Sequence, residues 1–381
     1  MSKQLNIPLV SSTAEAQGLT QTAIAAQLKV TKAAVSKWLT GKSHPRPPEL
    51  LKLGKLLDLG YKDLTIDSKT EPLIAFRKRA SCKTTPKHIN RAKAMGRFLE
   101  PLTSYLDFDP FLTPGYLKEP NLGYEYIQKL VTTLRREMNL ADHEPIGFKD
   151  LINKFKDQQA VLIPTLWGKK DKHENALHIY LSESKTTWIY LNLDSEIHDF
   201  KFWMAHELAH VLSVNLLEQD QLDLAEDFAD RFAGALLFPE AAAKKVYKHY
   251  AKARSDRGRI KVLMETGSEY TISPNSVYKE LKQYAEVHEQ PFVELENKVL
   301  FPAINQFNKQ FPTLNEHLFD GETPSANSFM RVAQEQFDTH FYKALGEYVR
   351  KTNAPPSAIS RMIDVPLLDA RAYHEALTTA G

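Results

Sequence analysis

The stretch that most constrains this chain is "MAHELAHVLS", residues 204–213, where two histidines stand four residues apart with a glutamate directly after the first. Residues four apart stack on one face of an α-helix. His206 and His210 can therefore offer imidazole nitrogens to one metal ion if the segment is helical. Zinc takes such ligands at about 2.0–2.1 Å. Glu207 is rotated by about 100° from His206, which sets its carboxylate beside the metal, where a bound water would sit. Two histidine ligands with an adjoining glutamate base are the pattern of zinc metalloproteases. The pattern alone does not decide the matter. With 13 histidines in 381 residues, roughly three chains in a hundred would contain it by chance. A catalytic zinc site also needs a third protein ligand and an open fourth position.

The third ligand is expected in "LAEDFADRFAGALLFPE", residues 224–240. Glu226 and Asp230 are again four apart and share a helical face, while Phe228, Phe232, Ala235 and Leu236 form a buried stripe opposite. Pro239 ends the helix. The segment reads as a second helix, antiparallel to the first, after a loop through "NLLEQDQ". Glu226 can complete a His, His, Glu set, and Asp230 can hold the free N–H of a ligand histidine. Most acidic pairs on helices form a solvated face instead. The position 16 residues after His210, leading into "FAGALLFP", favours the metal reading.

"HELAH" followed by "EDFADRFAGALLFP" resembles the ImmA/IrrE family of bacterial and phage zinc metallopeptidases. The resemblance implies that His206, His210 and Glu226 bind Zn2+ and that Glu207 is the general base. "TTWIYLNLDSEIHDFKFWMAHELAH" is similar to the family's edge strand (Trp188 to Leu193) and the helix that enters the active site. "YIQKLVTTLRREMNL", "IGFKDLINKF" and "AVLIP" are similar to its opening helices and first strand. One departure is Ser213, where many members carry a histidine three residues after the motif; it is not one of the three ligands. The resemblance spans roughly residues 120 to 245. The sequence does not single out the group that stabilises an oxyanion; His198 and Tyr190 precede the motif, with nothing to mark either for that role.

The length suggests two or three domains, each able to bury its own core. At 43% hydrophobic and 25% charged residues, the chain is expected to fold and not to remain disordered. Cys82 is the single cysteine, so an internal disulfide is excluded and a reducing cytoplasm fits. The N-terminus has no apolar core of signal-peptide length, and nowhere do 18 apolar residues run together to suggest a membrane span. Net charge is only +2, but it is segregated: residues 1–100 hold 18 lysines and arginines against 7 acidic residues, a net of +11, and the remaining 281 carry −9. A basic end on an acidic remainder points to a nucleic-acid partner.

That basic end contains "GLTQTAIAAQLKVTKAAVSKWLTGK", residues 18–42. Thr20 is suited to cap a helix from Gln21 to Leu28, and Thr31 a second from about Lys32 to Leu39, with Gly41 at its stop. Ile24, Leu28, Val30, Val35 and Trp38 would form the small core between them. Two short helices with a three-residue turn describe a helix-turn-helix; a plain helical hairpin is the competing reading. The segment resembles the XRE-type (phage-repressor-like) helix-turn-helix. By that resemblance Lys32, Ala33, Ser36 and Lys37 face base edges in the major groove, and Gln21 and Lys42 face phosphates. Lys29 stands where glycine is usual in the turn, a left-handed position costing a non-glycine residue about 1 kcal/mol. The first helix, within "IPLVSSTAEAQ", is short and weakly marked. Such domains usually act as two-fold dimers, so a homodimer on a palindromic operator in double-stranded DNA is expected.

"FRKRA" and "RAKAMGR" make residues 71–106 the most basic stretch. Helical spacing of apolar residues from Ile89 to Leu106 predicts a helix, which either extends the DNA contact or packs on the acidic module. "YTISPNSVYKELKQYAEVH" reads as a capped helix after a short strand. Residues 295 to 381 read as several helices, including "SANSFMRVAQEQFDTHFYKALGEYVRKT", and "NAPPSAISRMIDVPLLDARAYHEAL" as a small helix pair. A second DNA-binding element is the competing reading, but the pair lacks clustered lysines and arginines, which favours packing or partner sensing. The expected fold is mainly α with a small β-sheet. A helix-turn-helix bundle occupies residues 1–66 and a basic helical linker 67–118. A central α+β zincin-like metallopeptidase core follows over 119–248, then a C-terminal helical region over 249–381.

The resemblances imply a cytoplasmic DNA-binding regulator with zinc-dependent endopeptidase activity. Its substrate would be a repressor or neighbouring-gene product, cleaved to release stress or mobile-element genes. The alternative is a non-proteolytic, antitoxin-like regulator whose zinc fold senses a ligand or partner. The presence of Glu207 weighs against it, since a scaffold has no need of the base. A nucleic-acid-modifying enzyme finds no phosphate-cradling motif in its support.

Overall fold

The computed structural model describes residues 3–40, 43–67, 72–75, 86–108, 115–168, 176–217 and 221–379. Gly41, Lys42, Cys82 and the "FRKRA" stretch lie outside the described residues. The chain divides into two compact units, Met1–Glu71 and Pro72–Gly381, each with its own hydrophobic cluster.

The first unit contains β1 (Lys3–Leu5), α1 (Ile7–Ala16), α2 (Gln21–Leu28), α3 (Lys32–Leu39), α4 (Pro47–Leu57), α5 (Tyr61–Leu64) and β2 (Thr65–Asp67). α2 and α3 form where the threonine caps predict them. Thr20 Oγ1 accepts from Ala23 N at 3.2 Å, and Thr31 Oγ1 from Ala34 N at 3.1 Å. Lys29 takes the left-handed turn position, at φ 57° and ψ 45°. Ile24, Leu28, Val35 and Trp38 are buried and Val30 half-buried. α1 is capped by Asn6, whose Oδ1 accepts from Leu9 N. Gly54 admits α5, because a Cβ there would lie 2.5 Å from Leu64 Cδ1 and 2.8 Å from the Leu59 carbonyl. β1 and β2 pair antiparallel, Lys3 opposite Asp67, and so join the two ends of the unit.

The second unit opens with β3 (Leu73–Ala75), α6 (Pro86–Leu99) and a 3-10 turn, Glu100–Tyr105. Within the basic stretch, residues 86–105 are therefore a helix followed by a tighter turn, and α6 packs on the sheet of this unit. Next come α7 (Tyr124–Glu137), α8 (Phe148–Asp157), β4 (Ala160–Thr165), β5 (Ala176–Leu181), β6 (Thr186–Asn192), α9 (Ile197–Leu212) and α10 (Leu222–Leu237). The four-stranded sheet has the order β3-β5-β6-β4, with β4 and β6 parallel and the other pairs antiparallel. β6 was expected at an edge and instead lies inside the sheet. Its sequence "TTWIYLN" is buried at every residue, and such a continuous run fits a strand covered on both faces.

The remaining helices are α11 (Glu240–Lys252), α12 (Asp256–Tyr270), α13 (Pro274–Val287), α14 (Asn297–Asn308), α15 (Leu314–Phe319), α16 (Ala326–Phe337), α17 (Phe341–Thr352), α18 (Pro356–Ile363) and α19 (Leu367–Thr379). The short strand expected before α13 is absent. α12 runs on to Tyr270, Thr271 turns left-handed, and Ile272 N donates back to the Gly267 carbonyl at 3.0 Å. That bond closes the backbone locally and leaves no ladder to join. "SANSFMRVAQEQFDTHFYKALGEYVRKT" forms two helices, α16 and α17, separated at Asp338 (φ 47°). Their junction covers the outer edge of β4: the Thr339 hydroxyl donates to Leu162 O at 2.5 Å and the Tyr342 hydroxyl to Pro164 O at 2.7 Å.

Candidate metal centre

α9 runs through the core, and from His198 to Leu212 only Asp199 and Phe202 escape full burial. A helix apolar nearly all round belongs inside a protein, so the polar residues it carries there need a reason. His206 and His210 are each 1% exposed and Glu207 4%. α10 packs against α9. His206 meets both Glu226 and Asp230, whereas His210, a turn further on, meets Glu226. The two helices therefore run antiparallel.

His206, His210 and Glu226 bring three potential ligand atoms together. The two Nε2 atoms are 3.1 Å apart. Glu226 Oε2 is 3.5 Å from that of His206, and Oε1 is 3.2 Å from that of His210. Among the described residues, neither carboxylate oxygen has a hydrogen bond. Ligands about 2.0–2.1 Å from a tetrahedral ion lie about 3.3 Å from one another, so these spacings match the edges of a zinc tetrahedron. Two imidazoles and a carboxylate are also the nitrogen and oxygen donors zinc accepts. Glu226 is 7% exposed, which removes the reading of a solvated acidic face for this residue; Asp223 and Asp227 are exposed. Asp230 Oδ1 lies 3.0 Å from His206 Nδ1. A carboxylate there holds the proton on Nδ1 and turns the Nε2 lone pair toward Glu226.

The electrostatics follow from burial and mutual contact. Burial works to raise the Glu226 carboxyl, but His210 and His206 hold it down to about 2. Burial likewise opposes charge on His206, yet Asp230 and Glu226 lift it to about 9 in the absence of metal. Glu207 is pushed up by burial against the pull of both histidines, the direction that suits a general base working near neutral pH.

His198 and Tyr190, the two polar residues noted ahead of the motif, are engaged elsewhere. The Tyr190 hydroxyl donates to the Met362 carbonyl, and its ring stacks on Trp167. His198 sits edge-on to Phe307 and Phe311. Neither touches the trio among the described contacts. The residue that does was missed: His178, on β5, is fully buried, with Nδ1 3.9 Å from Glu207 Oε2 and its ring 5.7 Å from that of His210. Burial, with His210 beside it, drives this imidazole well below its ordinary pKa, so it is neutral. A histidine set inside the apolar strand "ALHIYL" was the available signal.

In the first unit, Gln21, Lys32, Ala33 and Lys37 are exposed and Ser36 is half-buried. Residues 32, 33, 36 and 37 share the outward side of α3, opposite the buried Val35 and Trp38. Lys42 lies outside the described residues.

Residues 14–64 match the family model described as helix-turn-helix, and residues 163–282 match a peptidase family model described as IrrE N-terminal-like domain. Both resemblances read from the sequence are thus found, in the same order and in one chain. α2 and α3 fall within the first match; His178, His206, His210, Glu226 and Asp230 fall within the second. No curated protein and no solved structure matches the chain. No helix is long and apolar enough to cross a membrane among the described residues.

Proposed function

We propose that this chain is a DNA-binding regulator whose second unit is a zinc-dependent endopeptidase acting on a protein partner, such as a repressor. The observation that carries the reading is the tetrahedral-edge spacing of His206, His210 and Glu226, buried and beside Glu207. Those three residues would hold the ion, which when bound supplies Lewis acidity and lowers the pKa of a bound water toward about 7. Glu207 accepts the proton of the attacking water and passes it to the leaving amine, a transfer worth roughly 10²–10⁴-fold in rate. Asp230 keeps the His206 proton on Nδ1 and the ring oriented. Lys32, Ala33, Ser36 and Lys37 read base edges, with Gln21 and Lys42 on phosphates, and a homodimer sets the operator's symmetry.

One observation favours the second reading, a non-proteolytic sensor. An extended peptide docks most simply by adding a strand to an exposed sheet edge. On the strand that carries His178, the edge not taken by β6 is already paired with β3, Ala75 opposite His178. The test is Glu207→Gln. It should keep zinc and DNA binding but fail to cut the regulator encoded beside it when the two are co-expressed. Induction of the controlled promoter by this variant, with no fragment from either form, would defeat the protease reading.

A further inference from the structure

Besides the two carboxylate oxygens of Glu226, four more buried polar atoms without a hydrogen-bond partner among the described residues gather at one place in the second unit: Glu207 Oε2, His210 Nδ1, and both ring nitrogens of His178. Each such group left unpaired costs about 1–3 kcal/mol, so a cluster of them calls for an account. The two candidate histidine ligands differ here. His206 has Asp230 at its Nδ1, whereas no hydrogen bond satisfies His210 Nδ1 among the described residues. A histidine that presents Nε2 to a metal carries its proton on Nδ1 and needs an acceptor for it. Glu207 needs the opposite, a donor. A neutral imidazole has one of each, and the His178 ring lies beside both, its Nδ1 3.9 Å from Glu207 Oε2 and its centroid 5.7 Å from that of His210.

We infer that His178 is a positioning residue that ties the candidate base to a candidate ligand: its Nδ1–H donates to the Glu207 carboxylate, and its Nε2 accepts from Nδ1–H of His210. The inference rests on the zinc-peptidase reading and supplies the group that reading lacked at His210. The 3.9 Å between His178 Nδ1 and Glu207 Oε2 exceeds a hydrogen bond by about 1 Å. Catalytic hydrogen bonds are often long before the site is loaded. His178 is 0% exposed, so it reaches no substrate and acts through Glu207 and His210. Burial also favours the neutral ring that this double role requires.

The test uses the full chain. Nitrogen-15 NMR of histidine-labelled, zinc-loaded protein should show His178 as the neutral tautomer protonated at Nδ1; a proton on Nε2 would overturn the inference. Zinc affinity, measured by competition with a chelator, gives a second readout. His178→Leu should bind zinc about 10–100-fold more weakly, while His178→Gln, which keeps a donor and an acceptor, should stay within about threefold of wild type. Wild-type affinity in the Leu variant, or equal loss in both variants, would sink the inference. If the Leu variant fails to fold, the wild-type spectrum and the Gln variant decide. With cleavage followed on a library of unstructured peptides, the Leu variant should lose turnover with little change in KM. If wild type cuts no peptide while the affinity order and tautomer hold, the protease reading fails and the role of His178 stands.

Discussion

A carboxylate that is 7% exposed between two imidazoles is in a different chemical situation from Asp223 and Asp227, which face solvent on the same helix. Glu226→Ala should therefore remove most of the bound zinc, whereas Asp223→Ala and Asp227→Ala should retain it; elemental analysis showing full occupancy in Glu226→Ala would name the wrong ligand. Asp230→Ala leaves the trio intact and removes the orienting partner of His206, so zinc affinity should fall by about 10–100-fold in chelator competition. The same contacts give the metal-free protein a pH signature. Asp230 and Glu226 raise His206 to about 9, above the ordinary value of about 6.5. A raised folded-state pKa stabilises fully below the unfolded value and loses that contribution as pH rises through the folded one. From pH 6.5 to 9 the metal-free protein should become less stable. Zinc requires deprotonated histidines, so the zinc-dependent increment should grow over the same range. Glu280, raised to about 8 by burial, and Lys201, lowered to about 8 by burial, act in both forms and cancel in the difference. Equal pH slopes with and without zinc, read as Tm, would remove His206 from the site.

At the scale of single elements, α6 is held close to the sheet by Gly96. A Cβ there would meet Pro72 Cβ and Cγ at 2.8 Å and Ile179 Cγ2 at 3.0 Å. Helix propensity favours Gly96→Ala by up to about 1 kcal/mol, but a rigid proline ring and a β-branched side chain yield little, and overpacking typically costs about 1–3 kcal/mol. The net should be destabilising, with faster amide exchange across the β3–β5 ladder; unchanged exchange would mean that Pro72 yields freely. α3 gives a second expectation. Lys32→Ala and Lys37→Ala should each weaken operator binding by about 1–3 kcal/mol if they read bases, measured as Kd at fixed salt; a double variant binding like wild type would remove α3 from the interface. The sequence marked α2, α3, α9 and α10 well because their signals are local: threonine caps, a four-residue histidine spacing, and an apolar stripe ended by proline. β3 was not legible, since "LIA" is three residues long and becomes a strand only by pairing with β5, about a hundred residues on. β6 was placed at an edge for the same reason, as strand neighbours are set by tertiary pairing. His178 escaped because its chemistry depends on a strand facing a helix, a contact that no spacing encodes.

For the whole molecule, the two units have separate hydrophobic clusters, and the charge segregation does not follow their boundary. Residues 1–71 hold 10 lysines and arginines against 6 acidic residues, a net of +4, and residues 72–381 hold 39 against 41, a net of −2. Most of the basic excess of residues 1–100 lies beyond Glu71. A body with its own core can unfold on its own, and the proposed metal residues belong to the second unit alone. Calorimetry of the full chain should then show two transitions, and zinc should move one of them. A ligand that binds only the folded state stabilises by about 4.1 kcal/mol at 1,000 times its Kd. Each kcal/mol shifts the Tm of a large domain by about 2–4 °C, so chelation should lower the second unit's transition by on the order of 10 °C. Operator DNA should raise the transition of the first unit, Met1–Glu71, by the same logic and leave the other in place. Each ligand thus labels one transition, and the pair of titrations assigns both without cutting the chain. A single transition shifted by either ligand would show that the two cores unfold as one cooperative body, and would make DNA occupancy and zinc loading thermodynamically coupled through unfolding. Two transitions with zinc moving the one that DNA moves would instead place the metal outside His206, His210 and Glu226.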